Sequence, residues 1–225
     1  MFISRQHKII VIWNPKTGSQ SIHRYLRLNV PDAYFGPAGR DESEGKAHWH
    51  IPLSRIMKEN QITAEEVITY RIATFWRDPI DRFLSGYAWK QREFPDLYAN
   101  MSIREYVETH QHFRLQKVYL ADRIHSFDEP RFPLINFDSI WTWFNFHDYE
   151  NEFRRLAGWF GLTPGEQAPP KYPTQGNEIP WAQYSNNRLQ VEDLTEEEIR
   201  LIKEVHREDY ELLESRGIFA PTRDL

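Results

Sequence analysis

The run Lys8-Ile9-Ile10-Val11-Ile12-Trp13 is apolar and largely β-branched once past its lysine. An unbroken run of this kind predicts a strand covered on both faces in a parallel sheet, because a strand with one wet face alternates instead. Asn14-Pro15 ends it. From Ser19 the spacing changes, and Ile22, Tyr25 and Leu26 fall on one face of a helix. Residues 69–76 predict a second buried strand, stopped by Asp78-Pro79, and Pro79 suits a first helical position. Ile80, Phe83, Leu84, Tyr87 and Ala88 then form an apolar stripe.

Beyond that stripe, the pattern predicts helices over 102–109 and around 115–124, and one or two short strands within 132–143. Tyr149, Phe153, Leu156 and Phe160 mark a helix closed by Gly161. Thr195 and Glu198 form a capping box, opening a helix that carries Ile199, Ile202, Val205, Leu212 and Leu213 inward and ends by Gly217. Residues 29–47 show no clear period and read as a loop, as does 163–180 with its five prolines and two glycines. Strand, helix, strand, helix near the N-terminus argues for an α/β sandwich.

Length and composition narrow this picture. With 225 residues and no internal repeat, the chain is expected to be a single domain spanning 1–225. Its 40% hydrophobic and 27% charged residues are those of a folded globular protein. It contains no cysteine, which excludes disulfides and thiolate metal sites and fits a reducing compartment. A net charge of −5 without a long basic run argues against a nucleic-acid partner. No apolar stretch reaches the length of a signal core or a membrane span, so a cytoplasmic protein without a membrane partner is expected.

The candidate chemistry lies between the first strand and its helix. A loop there presents backbone N–H groups and the positive end of a helix dipole to an anion. Gly18 permits close backbone approach; Thr17, Ser19 and Ser21 offer hydroxyls, and Lys16 a full positive charge. The lysine precedes the glycine, and no first glycine stands at the offset that the ATP-binding pattern G-x-x-x-x-G-K-[ST] requires. Only Asp78 near the second strand end offers a carboxylate for Mg²⁺, so an ATPase reading is weakened.

The segment Ile12-Trp13-Asn14-Pro15-Lys16-Thr17-Gly18-Ser19-Gln20-Ser21-Ile22 resembles the 5′-phosphosulfate loop of sulfotransferases that use 3′-phosphoadenosine-5′-phosphosulfate (PAPS). Phe75-Trp76-Arg77-Asp78-Pro79 with Ser85, eight residues after the arginine, resembles their 3′-phosphate signature. The likeness is nearest to the carbohydrate-type branch and extends loosely over 116–120 and 137–162. Gln20 departs from it, standing where the family more often has a hydroxyl residue.

The resemblance implies a P-loop-like three-layer α/β fold with a mainly parallel central sheet flanked by helices. It implies a PAPS cosubstrate held by Lys16, Thr17, Gly18, Ser19, Gln20, Ser21, Arg77 and Ser85, an acceptor hydroxyl on a sugar, and no metal. Lys16 is the implied catalytic cation. The general base is His50, six residues before Ile56, with His48 as the alternative. Two other readings stay open at this stage: a P-loop-type nucleotide kinase, and an inactive nucleotide-binding protein of the same fold.

Overall fold

The computed structural model describes residues 1–35, 40–41, 46–47, 50, 53–58, 62–109, 141–164 and 189–218. Two compact units share the chain, and each draws on two stretches of it. The first comprises 1–76 and 118–172, the second 77–117 and 173–225.

The first unit is built on a five-stranded sheet. Its strands are β1 (Phe2–Ser4), β2 (Ile9–Ile12), β3 (Tyr34–Phe35), β6 (Arg71–Trp76) and β7 (Trp141–Asn145), in the order β3-β1-β2-β6-β7. β2 pairs parallel with β6, and β6 with β7. β1 lies antiparallel to both β2 and β3. The expected parallel pairing therefore holds for β2, β6 and β7, and β1 and β3 extend the sheet in antiparallel fashion on the β2 side.

Both faces of β2 are covered, as its unbroken apolar run predicts. Ile9, Val11 and Trp13 pack with Ile22 and Leu26 of α1 (Ser19–Asn29) and with Phe153 and Leu156 of α7 (Tyr149–Gly158). Ile10 and Ile12 face the other way, onto Leu53, Ile56 and Met57 of α2 (Leu53–Lys58) and Val67 of α3 (Ala64–Thr69). Helices thus lie on both sides of the sheet, giving three layers. Burying a side chain of this size is worth roughly 1.5–3 kcal/mol, and all four residues of β2 are buried.

The second unit is helical in its described residues: α4 (Pro79–Glu93), α5 (Pro95–Tyr98), α6 (Ile103–Thr109), α8 (Glu196–Val205) and α9 (Arg207–Ser215). The stripe read from the sequence forms its core. Ile80, Phe83, Leu84 and Tyr87 of α4 meet Ile103, Tyr106 and Val107 of α6 and Ile199 and Ile202 of α8. Asp78 caps α4 by accepting from the N–H groups of Ile80 (2.9 Å) and Asp81 (3.2 Å). Both halves of the Thr195 and Glu198 capping box are present.

Several expectations are corrected. The stretch 29–47 contains β3, which pairs at the sheet edge, and a two-residue pairing of β4 (Arg40–Asp41) with β5 (Lys46–Ala47). Strands of two residues carry too little pattern to be read from periodicity. The single helix expected from 196 is two, because His206 leaves helical geometry at φ −99°, ψ 15°. The apolar spacing runs straight through that break. At the break a buried polar contact joins His206 Nδ1 to Asp209 Oδ2 at 3.1 Å. The helix expected at 115–124 and most of the loop 163–180 lie outside the described residues.

The cap on α4 is the local feature that fixes where β6 hands over to the helix. Asp78→Ala should lower unfolding stability by about 1 kcal/mol in urea titration, leaving two backbone donors without their acceptor.

Candidate active site

The parallel pairing of β2 with β6 brings the ends of both strands to one edge of the sheet. There Asn14, fully buried, donates from Nδ2 to the carbonyl of Phe75 at 3.0 Å. One layer back, Thr74 Oγ1 donates to the Ile12 carbonyl at 3.2 Å. The loop leaving β2 is thereby tied to the neighbouring strand before it turns.

Within the loop, Thr17 is buried and its hydroxyl donates to the Asn14 carbonyl at 2.7 Å. That proton is engaged inside the loop, so the Thr17 side chain shapes the turn. Lys16 takes a left-handed backbone at φ 67°, and Gly18 another at φ 72°. For a residue with a Cβ this conformation costs roughly 1–2 kcal/mol. Strain of that kind persists where the surroundings impose it and clusters at functional sites. At Gly18 the conformation is matched by closeness: an added Cβ would stand 2.9 Å from Phe146 and 3.0 Å from Tyr149.

Gly18 is the N-cap of α1 and has no side chain to bond the first turn, which holds no acidic residue either. The N–H groups of Ser19 and Gln20 have no intrahelical acceptor by helix geometry. α3, α4, α7, α8 and α9 all place Asp or Glu in their first turn. α1 instead begins with a positive end that its own side chains do not neutralise. Gln20 is exposed there, and Ser19 and Ser21 are buried. The Ser21 hydroxyl lies beside Tyr149, whose phenol burial pushes well above its ordinary value, with the serine opposing that shift.

His50 reaches this loop from a distant part of the sequence. Its Nδ1 stands 3.0 Å from the Trp13 carbonyl, and since a carbonyl only accepts, Nδ1 is the protonated nitrogen. In a neutral imidazole so held, the ring lone pair lies on Nε2. Trp13 itself is packed edge-on against His23, with ring centroids 6.0 Å apart. Burial, with the positive charge of Arg27 adding, pulls His23 down to about 4, so its ring is neutral near pH 7. His48 lies outside the described residues.

In the second unit, Arg77 follows β6 directly and is buried at 8% exposure, and Ser85 lies half-buried on α4. Asp78 serves as the cap described above, which accounts for its place in the motif without a metal. Among the described residues, no group of three or more His, Asp or Glu side chains could hold a metal ion. No helix among them is long and apolar enough to cross a membrane.

Sequence reading passed over Asn14 as a mere strand end and read Tyr149 only as part of an apolar stripe. A polar residue closing an otherwise apolar run was the available signal for Asn14. Nothing in the sequence announces Phe146 and Tyr149 as neighbours of Gly18, because they arrive through a strand pairing.

A strand end, a loop with a left-handed lysine, a helix start without acidic residues and a histidine bonded to the Trp13 carbonyl thus lie together. The family model described as "Sulfotransferase family" matches residues 1–214, and the chain belongs to that family. A crystal structure of a sulfotransferase from Alicyclobacillus acidocaldarius is similar at 13% identity and a TM-score of 0.39, over 91% of this chain and 97% of that one. No curated protein matches the chain.

The two left-handed positions generate opposite expectations. Lys16→Gly should be more stable than Lys16→Ala by about 1 kcal/mol, since glycine relieves the backbone strain. Gly18→Ala should be destabilised by at least that amount, because Phe146 and Tyr149 must also give way. Urea denaturation of the three variants checks both signs.

Proposed function

We propose that the protein transfers a sulfuryl group from PAPS to an acceptor hydroxyl, borne by a carbohydrate. Sulfuryl transfer follows from membership of the family. Sulfotransferases generally use PAPS as donor, which brings the family-matched residues of this chain into specific roles. The observation that carries the reading is the loop at 14–21: a cation and a left-handed turn at the start of a helix without acidic residues. Such a turn suits the 5′-phosphosulfate end, through the N–H groups of Ser19 and Gln20 and the Lys16 ammonium. A kinase of P-loop type is set aside by the family assignment.

PAPS, when bound, supplies the sulfuryl group. The acceptor oxygen forms a bond to sulfur while the bond from sulfur to the bridging phosphate oxygen breaks. The acceptor proton passes to Nε2 of His50, which the bond from Nδ1 to the Trp13 carbonyl holds in the basic tautomer. Lys16 offsets the charge that grows on the bridging oxygen as 3′-phosphoadenosine 5′-phosphate (PAP) leaves. A preorganised donor in that position is worth roughly a hundred- to a thousandfold in rate. Arg77 and Ser85 hold the 3′-phosphate, the guanidinium by a two-pronged contact and the serine by its hydroxyl. The sugar assignment rests on the carbohydrate-type likeness of the two motifs.

Thermal shift with PAP, 5′-AMP and ATP tests the donor, since each bound ligand raises apparent stability by mass action. PAP should stabilise the protein most, and equal shifts with PAP and 5′-AMP would remove the 3′-phosphate role from Arg77 and Ser85. Lys16→Ala should lose turnover by a hundredfold or more, at about that scale for a lost oxyanion donor, while retaining most of its PAP affinity. A wild-type protein that binds PAP yet shows no turnover with any sugar acceptor would favour the inactive reading.

His50→Ala should abolish acceptor sulfation and leave the PAP-induced shift intact. In wild-type protein, turnover should fall on the acid side as His50 takes up a proton. Unchanged turnover in His50→Ala would move the base to His48.

A further inference from the structure

The second unit buries three ionisable side chains in one contact. Arg82 on α4, His206 at the break between α8 and α9, and Asp209 on α9 are each at 0% exposure. Arg82 Nη2 lies 3.5 Å from Asp209 Oδ2, and His206 Nδ1 donates to the same oxygen at 3.1 Å. Aromatic and aliphatic side chains flank the contact. Phe83 sets its ring edge-on to His206 at 6.1 Å and to Tyr106 at 5.3 Å, within a core of Ile80, Leu84, Ile103 and Ile202.

Such a cluster is a costly way to hold helices together. Desolvating the charges offsets most of their attraction, and apolar residues of similar volume often serve stability as well or better. What a buried polar contact supplies that apolar side chains do not is a unique register, because one helix cannot slide or rotate past the other without stranding a charge.

The register fixed here is that of the first two turns of α4. Arg82 is the residue whose N–H closes the first helical bond onto the Asp78 carbonyl, at 2.9 Å. Tyr210, next to Asp209, lies near the same turn: burial raises its phenol, and the Asp78 and Asp81 carboxylates add to the rise. α9 therefore reaches the start of α4 at two successive residues. Arg77 immediately precedes that turn, and Ser85 lies one turn beyond Arg82 on the same helix. Their places follow from where this segment sits.

We propose that Arg82, Asp209 and His206 form a positioning device that sets the rotation and register of α4, and through it the places of Arg77 and Ser85 for a nucleotide 3′-phosphate. The proposal rests on the reading of Arg77 and Ser85 given above. The three residues act through α4 and touch no ligand. They thereby make the C-terminal helices a determinant of donor specificity.

The readout that separates positioning from bare stability is the ratio of affinities for PAP and 5′-AMP, measured by calorimetry on the full chain well below each melting temperature. General destabilisation moves both affinities together, whereas a shifted α4 moves only the one that includes the 3′-phosphate. Asp209→Asn should cut the PAP preference roughly 10- to 100-fold, the scale for a misplacement of about an ångström, with 5′-AMP affinity unchanged. The triple variant Arg82→Met, His206→Leu, Asp209→Leu should keep or raise the melting temperature and lose the preference to the same degree. It carries the test if Asp209→Asn fails to fold.

Arg77→Ala is the reference for the underlying reading. If wild-type protein shows no preference for PAP, the 3′-phosphate assignment fails and takes the positioning role with it. If Arg77→Ala loses the preference while the folded Asp209 variants keep it, the assignment stands and the positioning role alone is overturned.

Discussion

The parallel pairing of β2 with β6 is the constraint on which the rest of the first unit depends. It runs from Ile9 opposite Arg71 to Ile12 opposite Thr74, and so brings both strands to the same edge at the same depth. The apolar residues of β2 alternate between two helical layers, so neither strand can slip by one residue without turning its buried set to the wrong face. That register delivers Asn14 to the Phe75 carbonyl and starts the loop at a defined point. The left-handed strain at Lys16 follows directly on a strand buried on both faces.

The loop's chemistry then follows from what it lacks as much as from what it holds. Most helices in the described chain begin with their own carboxylates, which satisfy the first turn and screen the dipole. α1 begins with glycine, serine and glutamine and has no acidic residue in its first turn. His50 completes the arrangement through a backbone carbonyl, so its tautomer is set by the strand end. Cation, open helix start and oriented imidazole all refer back to the last residues of β2.

In the second unit, Asp78 and the buried cluster of Arg82, His206 and Asp209 divide the control of α4. The cap decides where the helix begins, and the cluster decides which side of it faces α9. The apolar stripe of α4 packs on α6 and α8, and one Asp209 carboxylate oxygen beside Arg82 and His206 adds a polar contact to it.

The sequence by itself determined the elements whose cause is local. The buried strand at 9–12, the helix from Ser19, the proline-started α4 and the Thr195 capping box rest on side-chain period, backbone restriction or contacts within one turn. The two motifs were legible for the same reason, since each sits at a strand-to-helix junction marked by glycine or proline. Tertiary structure alone decided what depends on residues far apart. These are the two-residue β3 at the sheet edge, the closeness of Gly18 to Phe146 and Tyr149, the hold of Trp13 on His50, and the break at His206. A single side chain's periodicity reports which face is apolar. It carries no record of the partner that will bury it, and hydrogen bonds between segments dozens of residues apart exist only once the strands have paired.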